Sequence, residues 1–217
     1  MVEEGNRRGV QATYDRIASH FAETRSHPWP QITEFLTDKC GDIGLDLGCA
    51  NGRHIAPLAE RCNRVLGVDL SRALLSMAAD RGGADLLQAD AARLPVRTGA
   101  VDVAVYIATL HHLPNREMRR RSLDELARVL GPDGQALVSV WSVTHSKFNA
   151  ETGFDTTVDW TLPDGETVGR FYHIYDPEEF AADLTASRLV TERTFTEAGN
   201  CFGVVGSEGK RTYDAAG

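Results

Sequence analysis

Several features that would mark a membrane, secreted or metal-binding protein are missing from this sequence of 217 residues. No run of about 18 apolar residues occurs, so no membrane-spanning helix is predicted. The N-terminus lacks the apolar segment of a signal peptide. The four cysteines are scattered with no C-x-x-C pair, which fits reduced cytosolic thiols better than a zinc site or a disulfide framework. We therefore expect a cytoplasmic protein without a metal site, formed as one domain over residues 1–217.

Lysine is also scarce. It occurs only at Lys39, Lys147 and Lys210, so nearly all of the 23 basic residues are arginine, and the net charge is -8. An acidic excess ordinarily argues against a nucleic-acid partner. Adaptation to high salt and a GC-rich genome explain the shortage of lysine equally well, and under either explanation the acidic total says little about partners.

The most informative stretch is the glycine-bearing turn from Asp46 to Gly52. An apolar run, Ile43–Leu47, precedes this turn and a helical segment follows it, which predicts a strand, a tight loop and a helix start. A second strand ends on Asp69, at the spacing of about 20 residues where the acid of a nucleotide-binding βαβ unit meets ribose hydroxyls. No Gly-Lys-Ser/Thr follows, which excludes a P-loop, and Ile55 stands where a nicotinamide fingerprint needs a third glycine.

Strands that alternate with helices predict an α/β fold with a doubly wound, mostly parallel sheet of seven strands and helices on both faces. The predicted strands cover residues 43–47, 65–68, 84–88, 101–107, 135–141, 189–196 and 202–207, and the predicted helices cover 10–21, 31–37, 53–61, 71–80, 116–130 and 177–186. Residues 1–40 are predicted as a helical cap, and residues 143–175, which show little periodicity, as an insert on the substrate side. Asp46, Asp69, Asp90 and residues 107–112 all fall at carboxyl ends of strands, where such sheets bind ligands.

Two clusters near the fourth strand permit more than one interpretation. His111 and His112 could suggest a metal, but adjacent side chains on a turn diverge and no cysteine or acidic cluster accompanies them. The helix that follows is rich in arginine, and it is equally well interpreted as a phosphate-binding patch or as a solvated face. Its arginines are Arg116, Arg119, Arg120 and Arg121.

The glycine loop and its acids resemble motifs I and II of the class I S-adenosylmethionine (SAM) methyltransferases, which have a Rossmann-like fold. One departure is Ala50, which replaces the middle glycine of the usual G-x-G-x-G. The resemblance implies SAM as cofactor, with Asp69 on the ribose and Asp90 on the adenine edge. The cofactor-binding residues that it implies are Arg25, Asp46, Gly48, Cys49, Ala50, Gly52, Asp69, Leu70, Asp90, Ala91, Ile107 and His112.

The flanking segments narrow this resemblance. Residues 14–21 (YDRIASHF) and 170–175 (RFYHIY) are similar to the tRNA methyltransferases that esterify carboxymethyluridine at the wobble position. The resemblance implies tRNA as substrate and a small zinc-ribbon activator protein, bound as a heterodimer along the predicted edge strand Ala84–Gln88. The residues that it implies for the acceptor side are Arg25, His111, Trp141, Arg170, Tyr172 and His173.

The chemistry of this acceptor needs little from the protein. A carboxylate with an ordinary pKa of about 4 is already ionised at neutral pH, so no general base is required. Rate must then come from positioning and from the exclusion of water. Two alternatives stay open from the sequence: a SAM-dependent methyltransferase acting on a quinone-like or other small metabolite, and a binding module that keeps the SAM pocket without turnover.

Overall fold

The structure is a computed structural model that describes residues 7–208. Residues 1–6 and 209–217 of the predicted domain, among them Lys210, lie outside the described residues. Within residues 7–208, no helix is both long enough and apolar enough to cross a lipid bilayer.

Seven strands form the main sheet. They are β1 (Gly41–Leu47), β2 (Cys62–Asp69), β3 (Asp85–Gln88), β4 (Val101–Ile107), β5 (Leu130–Trp141), β8 (Leu189–Glu197) and β9 (Asn200–Ser207). Their order in the sheet is β3-β2-β1-β4-β5-β9-β8. The strands β1 to β5 pair in parallel, whereas β9 lies antiparallel between β5 and β8. This confirms the predicted mostly parallel, seven-stranded sheet.

Helices cover both faces of the sheet. They are α1 (Arg7–Thr24), α2 (Pro30–Leu36), α3 (Ile55–Ala59), α4 (Arg72–Ala79), α5 (Arg116–Val129) and α6 (Pro177–Thr185), and a 3-10 turn covers Leu110–His112. Leu123 of α5 and Phe180 of α6 belong to the core on one face, and Ile32 of α2, Ile55 of α3 and Ala78 of α4 belong to the core on the other. The central strand β4 is buried on both sides, as parallel strands in this class are.

Residues 143–175 are more regular than their weak sequence periodicity indicated. They contain an antiparallel hairpin of β6 (Phe154–Thr161) and β7 (Thr167–Ile174). The inward positions of β7 alternate as in any strand, but two of them are Arg170 and Tyr172 instead of aliphatic residues. Because these polar side chains occupy buried positions, the apolar alternation that signals a strand is hidden.

Two predicted boundaries also differ from the structure. The strand predicted from residue 135 begins at Leu130, immediately after α5. The register between β4 and β5 shifts over the segment that contains Gly131 and Pro132. The helix predicted over residues 53–61 is only five residues long, because turn geometry persists through residue 54. Both errors lie in turns, where tertiary pairing decides the ends of an element.

Candidate active site

A cavity of about 300 Å³ opens at the carboxyl ends of β1, β2 and β4. Helix α1 contributes Val10, Tyr14 and Phe21 to its wall, and β7 contributes Arg170 and Tyr172. The structure therefore brings twelve of the predicted cofactor and acceptor residues together in one crevice. The predicted residues that line it are Arg25, Gly48, Ala50, Asp69, Leu70, Asp90, Ala91, Ile107, His112, Trp141, Arg170 and Tyr172.

Four other predicted residues lie behind this lining. Asp46 is buried beneath the loop, where His54 Nδ1 lies 3.9 Å from its Oδ1. Cys49 is buried under the loop, and burial raises the pKa of its thiol, so the side chain is a packed thiol. Gly52 has φ +76° and turns the chain toward α3. His111 is fully buried and stacks on the ring of Tyr172, with centroids 4.7 Å apart.

His173 faces away from the crevice. Its Nδ1 lies 2.6 Å from Asp155 Oδ1 and its Nε2 lies 3.0 Å from Glu179. Successive side chains of a strand point to opposite faces, so His173 cannot share the face of its neighbour Tyr172. The predicted contact of His173 with the acceptor therefore has no geometric basis, and its role is to tie β6 and β7 to α6.

The turn after β1 depends on glycine at one position. Gly48 has φ +75°, and a Cβ there would lie 2.2 Å from Thr109 Oγ1. Ala50 also has a positive φ, +48°, although it stands at the middle glycine position of the usual G-x-G-x-G motif. Its backbone N–H donates to Asp69 Oδ2 at 2.9 Å, which stabilises the left-handed conformation. The alanine is thus compatible with a tight, ligand-facing loop.

Asp69 is held in a fixed orientation at the edge of the crevice. Its Oδ2 accepts from Ala50 N–H and its Oδ1 accepts from Ser71 N–H at 2.8 Å. An ionised carboxylate has about four lone-pair sites, so both oxygens can accept further hydrogen bonds from a ligand. Desolvation raises the pKa of Asp69 to about 6, although the N–H donors partly oppose this shift. The side chain is therefore an oriented hydrogen-bond acceptor at the crevice.

Tyr14 and His112 close the crevice under α1. The carbonyl oxygen of Phe171 can only accept, so His112 Nδ1 carries the proton and donates to it at 2.9 Å. Desolvation lowers the pKa of His112 to about 3, so Nε2 is an acceptor, and the Tyr14 hydroxyl donates to it at 2.7 Å. Tyr14 belongs to the apolar stripe of its helix and is easily taken for a core residue, and no role was predicted for it.

Two arginines that line the crevice both lie close to one indole ring. The guanidinium carbon of Arg25 lies 5.2 Å from the Trp160 ring centroid and that of Arg170 lies 4.8 Å from it. Arg170 is 7% exposed and donates to the hydroxyl of Tyr172 at 2.8 Å. Trp160 Nε1 donates to His20 Nδ1 at 3.1 Å, which fixes the indole. Within residues 7–208, no carboxylate lies within salt-bridge distance of either arginine.

The arginines of α5 do not form one exposed patch. Arg116 and Arg120 both donate through Nε to Asp183 Oδ1, at 2.8 and 2.9 Å. Arg119 is buried, while Arg121 is exposed. Two of the four charges therefore neutralise a buried carboxylate of α6, and the helix face is largely structural.

The comparisons with known proteins agree with this geometry. A family model described as a methyltransferase domain matches residues 45–138. The tRNA (carboxymethyluridine(34)-5-O)-methyltransferase of Schizosaccharomyces pombe is 32% identical over 163 residues, which cover 70% of this chain and 68% of that protein. The chain belongs to this methyltransferase family. The resemblance predicted from the sequence is thereby confirmed.

Other members of the family are much longer than the region they share with this chain. The enzyme of the same name from Mus musculus is 38% identical over 146 residues, which cover 67% of this chain but only 22% of the mouse protein. The chain thus spans about a fifth of that relative.

Two solved structures share the fold at low sequence identity. The DhpI–SAH complex matches with a TM-score of 0.73 and 18% identity, over 94% of this chain and 97% of that one. A complex of the Haloferax volcanii Trm112 methyltransferase activator with a methyltransferase matches with a TM-score of 0.69 and 15% identity, over 91% and 97%. These matches confirm the predicted class I methyltransferase fold.

Proposed function

We propose that this chain transfers a methyl group from SAM to the carboxylate of a carboxymethyl-modified wobble uridine in tRNA. The observation that carries this proposal is the pair Arg25 and Arg170, two guanidinium groups at one crevice that have no carboxylate partner among residues 7–208. Arg170 is buried, and a buried cation is costly unless it is paired; a carboxylate is the anion that the guanidinium forks of both arginines match best. The names of the family members agree with such an acceptor.

The crevice fits the cofactor that this reaction needs. Gly48 lets the backbone approach a ligand closely, and the Asp69 carboxylate would accept hydrogen bonds from the ribose hydroxyls. Asp90 and Ala91 line the cavity at the end of β3, where an adenine edge would be held. When bound, SAM supplies an electrophilic methyl group on a sulfonium centre. The solved DhpI structure contains the corresponding demethylated product, SAH.

The acceptor side has the properties that ester formation on a carboxylate requires. Arg25 and Arg170 would bind the ionised carboxylate, and Trp141 and Tyr172 would form the wall that excludes water. Both nitrogens of His112 are already hydrogen-bonded, so this imidazole is a poor candidate for a base. His111 supports Tyr172 from behind. Because the nucleophile is ionised at neutral pH, its alignment with the methyl group supplies the rate enhancement.

We also propose that a small zinc-ribbon activator binds along β3 and forms a heterodimer. In the described part of the chain, β3 pairs only with β2, so its outer edge offers backbone hydrogen-bonding groups. Leu86 and Leu87 are half-buried beside this edge. The support is the edge itself and the fold shared with a methyltransferase that is bound to an activator. An activator that binds there should slow amide exchange in residues 85–88.

The decisive experiment is methyl transfer from radiolabelled SAM in high salt, with and without a zinc-ribbon activator. Bulk tRNA and a lipid extract are the two acceptors. We expect label in tRNA that mild base releases, because an ester is hydrolysed whereas a methylated nitrogen or carbon is not. Label only in the lipid fraction would refute the tRNA proposal and favour a small-molecule methyltransferase. Bound SAM without transfer to either acceptor would favour a binding module.

A further inference from the structure

The glycine loop is connected directly to the acceptor side through one buried side chain. Asn51 lies in that loop and is fully buried. Its Nδ2 donates to the backbone carbonyl of Arg25 at 2.9 Å and to that of Ala22 at 3.3 Å. These carbonyls lie at the C-terminal end of α1, where helix carbonyls have no partner within the helix. The side chain of Asn51 therefore caps α1 from outside.

The chemistry of the two carbonyls fixes the orientation of the amide. A carbonyl oxygen only accepts, so both contacts require the NH₂ group of Asn51. Its Oδ1 then has no hydrogen-bond partner within residues 7–208. A buried amide with one unsatisfied atom is costly, so the two contacts to α1 must compensate for that cost.

Asn51 contacts the main chain of Arg25, and the side chain of Arg25 extends from that point into the crevice. The guanidinium lies over Trp160, and Nη1 donates to the carbonyl of Thr24 at 3.1 Å. Arg25 is an exposed residue just beyond the helix end, so local contacts restrict its backbone little. Asn51 holds that backbone against the same loop that contains Gly48 and Ala50.

We propose that Asn51 is a positioning residue that links the cofactor loop to Arg25, so that an ordered loop places the guanidinium for the acceptor carboxylate. This inference rests on the proposed function for the identity of the acceptor. The linkage itself is independent of the acceptor, because it depends only on the contacts of Asn51 with Arg25 and Ala22.

A double-mutant cycle separates this role from simple capping of α1. In Asn51→Ala we expect KM for tRNA to rise about tenfold, the loss of roughly one good hydrogen bond, while the Kd for SAH changes little. In the Arg25→Ala background the same change should add less than about twofold, because Asn51 acts through Arg25. If the two effects are additive, Asn51 only stabilises the helix and the proposal is wrong. Asn51→Ser, which keeps one hydroxyl donor, replaces Asn51→Ala if that variant does not fold.

Asp15→Ala is the matched control. Asp15 also fixes α1, by accepting from Ser71 Oγ at 2.6 Å and from the N–H of Ala73 at 3.1 Å, but it does not contact Arg25. Its effect on KM should be additive with that of Arg25→Ala. A non-additive effect of the same size would mean that any loosening of α1 acts on Arg25, and the specific role of Asn51 would be overturned.

Hydrogen exchange tests the linkage without any acceptor. SAH should slow amide exchange in residues 22–26 of the wild type and should not do so in Asn51→Ala. Equal slowing in both proteins, or none in the wild type, would overturn the linkage. A wild type that shows the slowing but does not methylate tRNA would refute the proposed acceptor and leave the linkage supported.

Discussion

Replacement of Arg170 by alanine tests the acceptor site most directly. Arg170 is buried, lies over the rings of Trp160 and Tyr172, and has no carboxylate partner among residues 7–208. A hydrogen bond to a charged group contributes about 1.5–3 kcal/mol, so a bidentate contact with the acceptor carboxylate is worth about 3–6 kcal/mol. Loss of this contact should lower kcat/KM for tRNA by about 10²- to 10⁴-fold. The Kd for SAH should stay within a few fold.

The assay is label transfer to tRNA together with calorimetric titration of SAH. Arg170→Lys should recover only part of the activity, because an ammonium keeps the charge but cannot form the planar fork. Arg193→Ala is the matched control, since Arg193 lies 5.1 Å from the ring centroid of Phe195 on the far edge of the sheet. The Arg193→Ala change removes an arginine–aromatic contact of the same kind at a site remote from the crevice, so methyl transfer to tRNA should be unchanged.

Two results would refute this reasoning about Arg170. A parallel loss of SAH affinity would assign Arg170 to the cofactor pocket or to the fold. Full activity in Arg170→Ala would show that the acceptor does not present an anion to this guanidinium.

Three further predictions concern the cofactor loop, its acid and the contact between α5 and α6. The pKa of Asp69 is about 6, so the Kd for SAH should rise by up to about tenfold for each pH unit below 6, and titrations of Asp69→Asn should lack this dependence. Gly48→Ala should cost about 3 kcal/mol or more in thermal melts, because a positive φ and a clash add together. Asp183→Asn should lower the free energy of unfolding in urea by about 1–3 kcal/mol. This is less than a fully buried ion pair would lose, because Arg116 and Arg120 are half-exposed and solvent screens their charges.

Each of these predictions has a control and a contrary outcome. Because the pKa of Asp69 is raised in the folded state, the folded protein binds this proton more tightly than the unfolded chain does. The stability that the bound proton contributes is therefore lost as pH rises from 3.8 to about 6. An SAH affinity independent of pH would show that Asp69 does not bind it as a carboxylate. Gly99→Ala is the control for backbone strain, because Gly99 has φ +69° and no atom would contact an added Cβ there. If Gly48→Ala and Gly99→Ala lower the stability equally, a clash at Gly48 is excluded. Asp85→Ala breaks the exposed ion pair with Arg64 and should lower the free energy of unfolding less than Asp183→Asn does. The reverse order would contradict the argument that the buried carboxylate of Asp183 needs its partners.

The sequence alone was sufficient for the sheet and for the cofactor side of the crevice. Both depend on short-range patterns: an apolar strand, the glycine at position 48, and Asp69 at the end of the next strand. In a parallel sheet such positions must meet at one edge, so their spacing along the chain already determines their proximity. Asp46 shows the limit of this reasoning, since it belongs to the motif but is buried behind the loop.

The acceptor side was decided by tertiary structure. Arg25, Trp160 and Arg170 come from a helix end and from both strands of a hairpin, and only the packing of α1 against that hairpin brings them together. The hairpin escaped prediction because polar residues occupy its buried positions, and strand alternation then turned His173 away while Tyr172 faced the crevice. Contacts between residues far apart in sequence leave no periodic signal, which is why Asn51 and Tyr14 were found only in the folded chain.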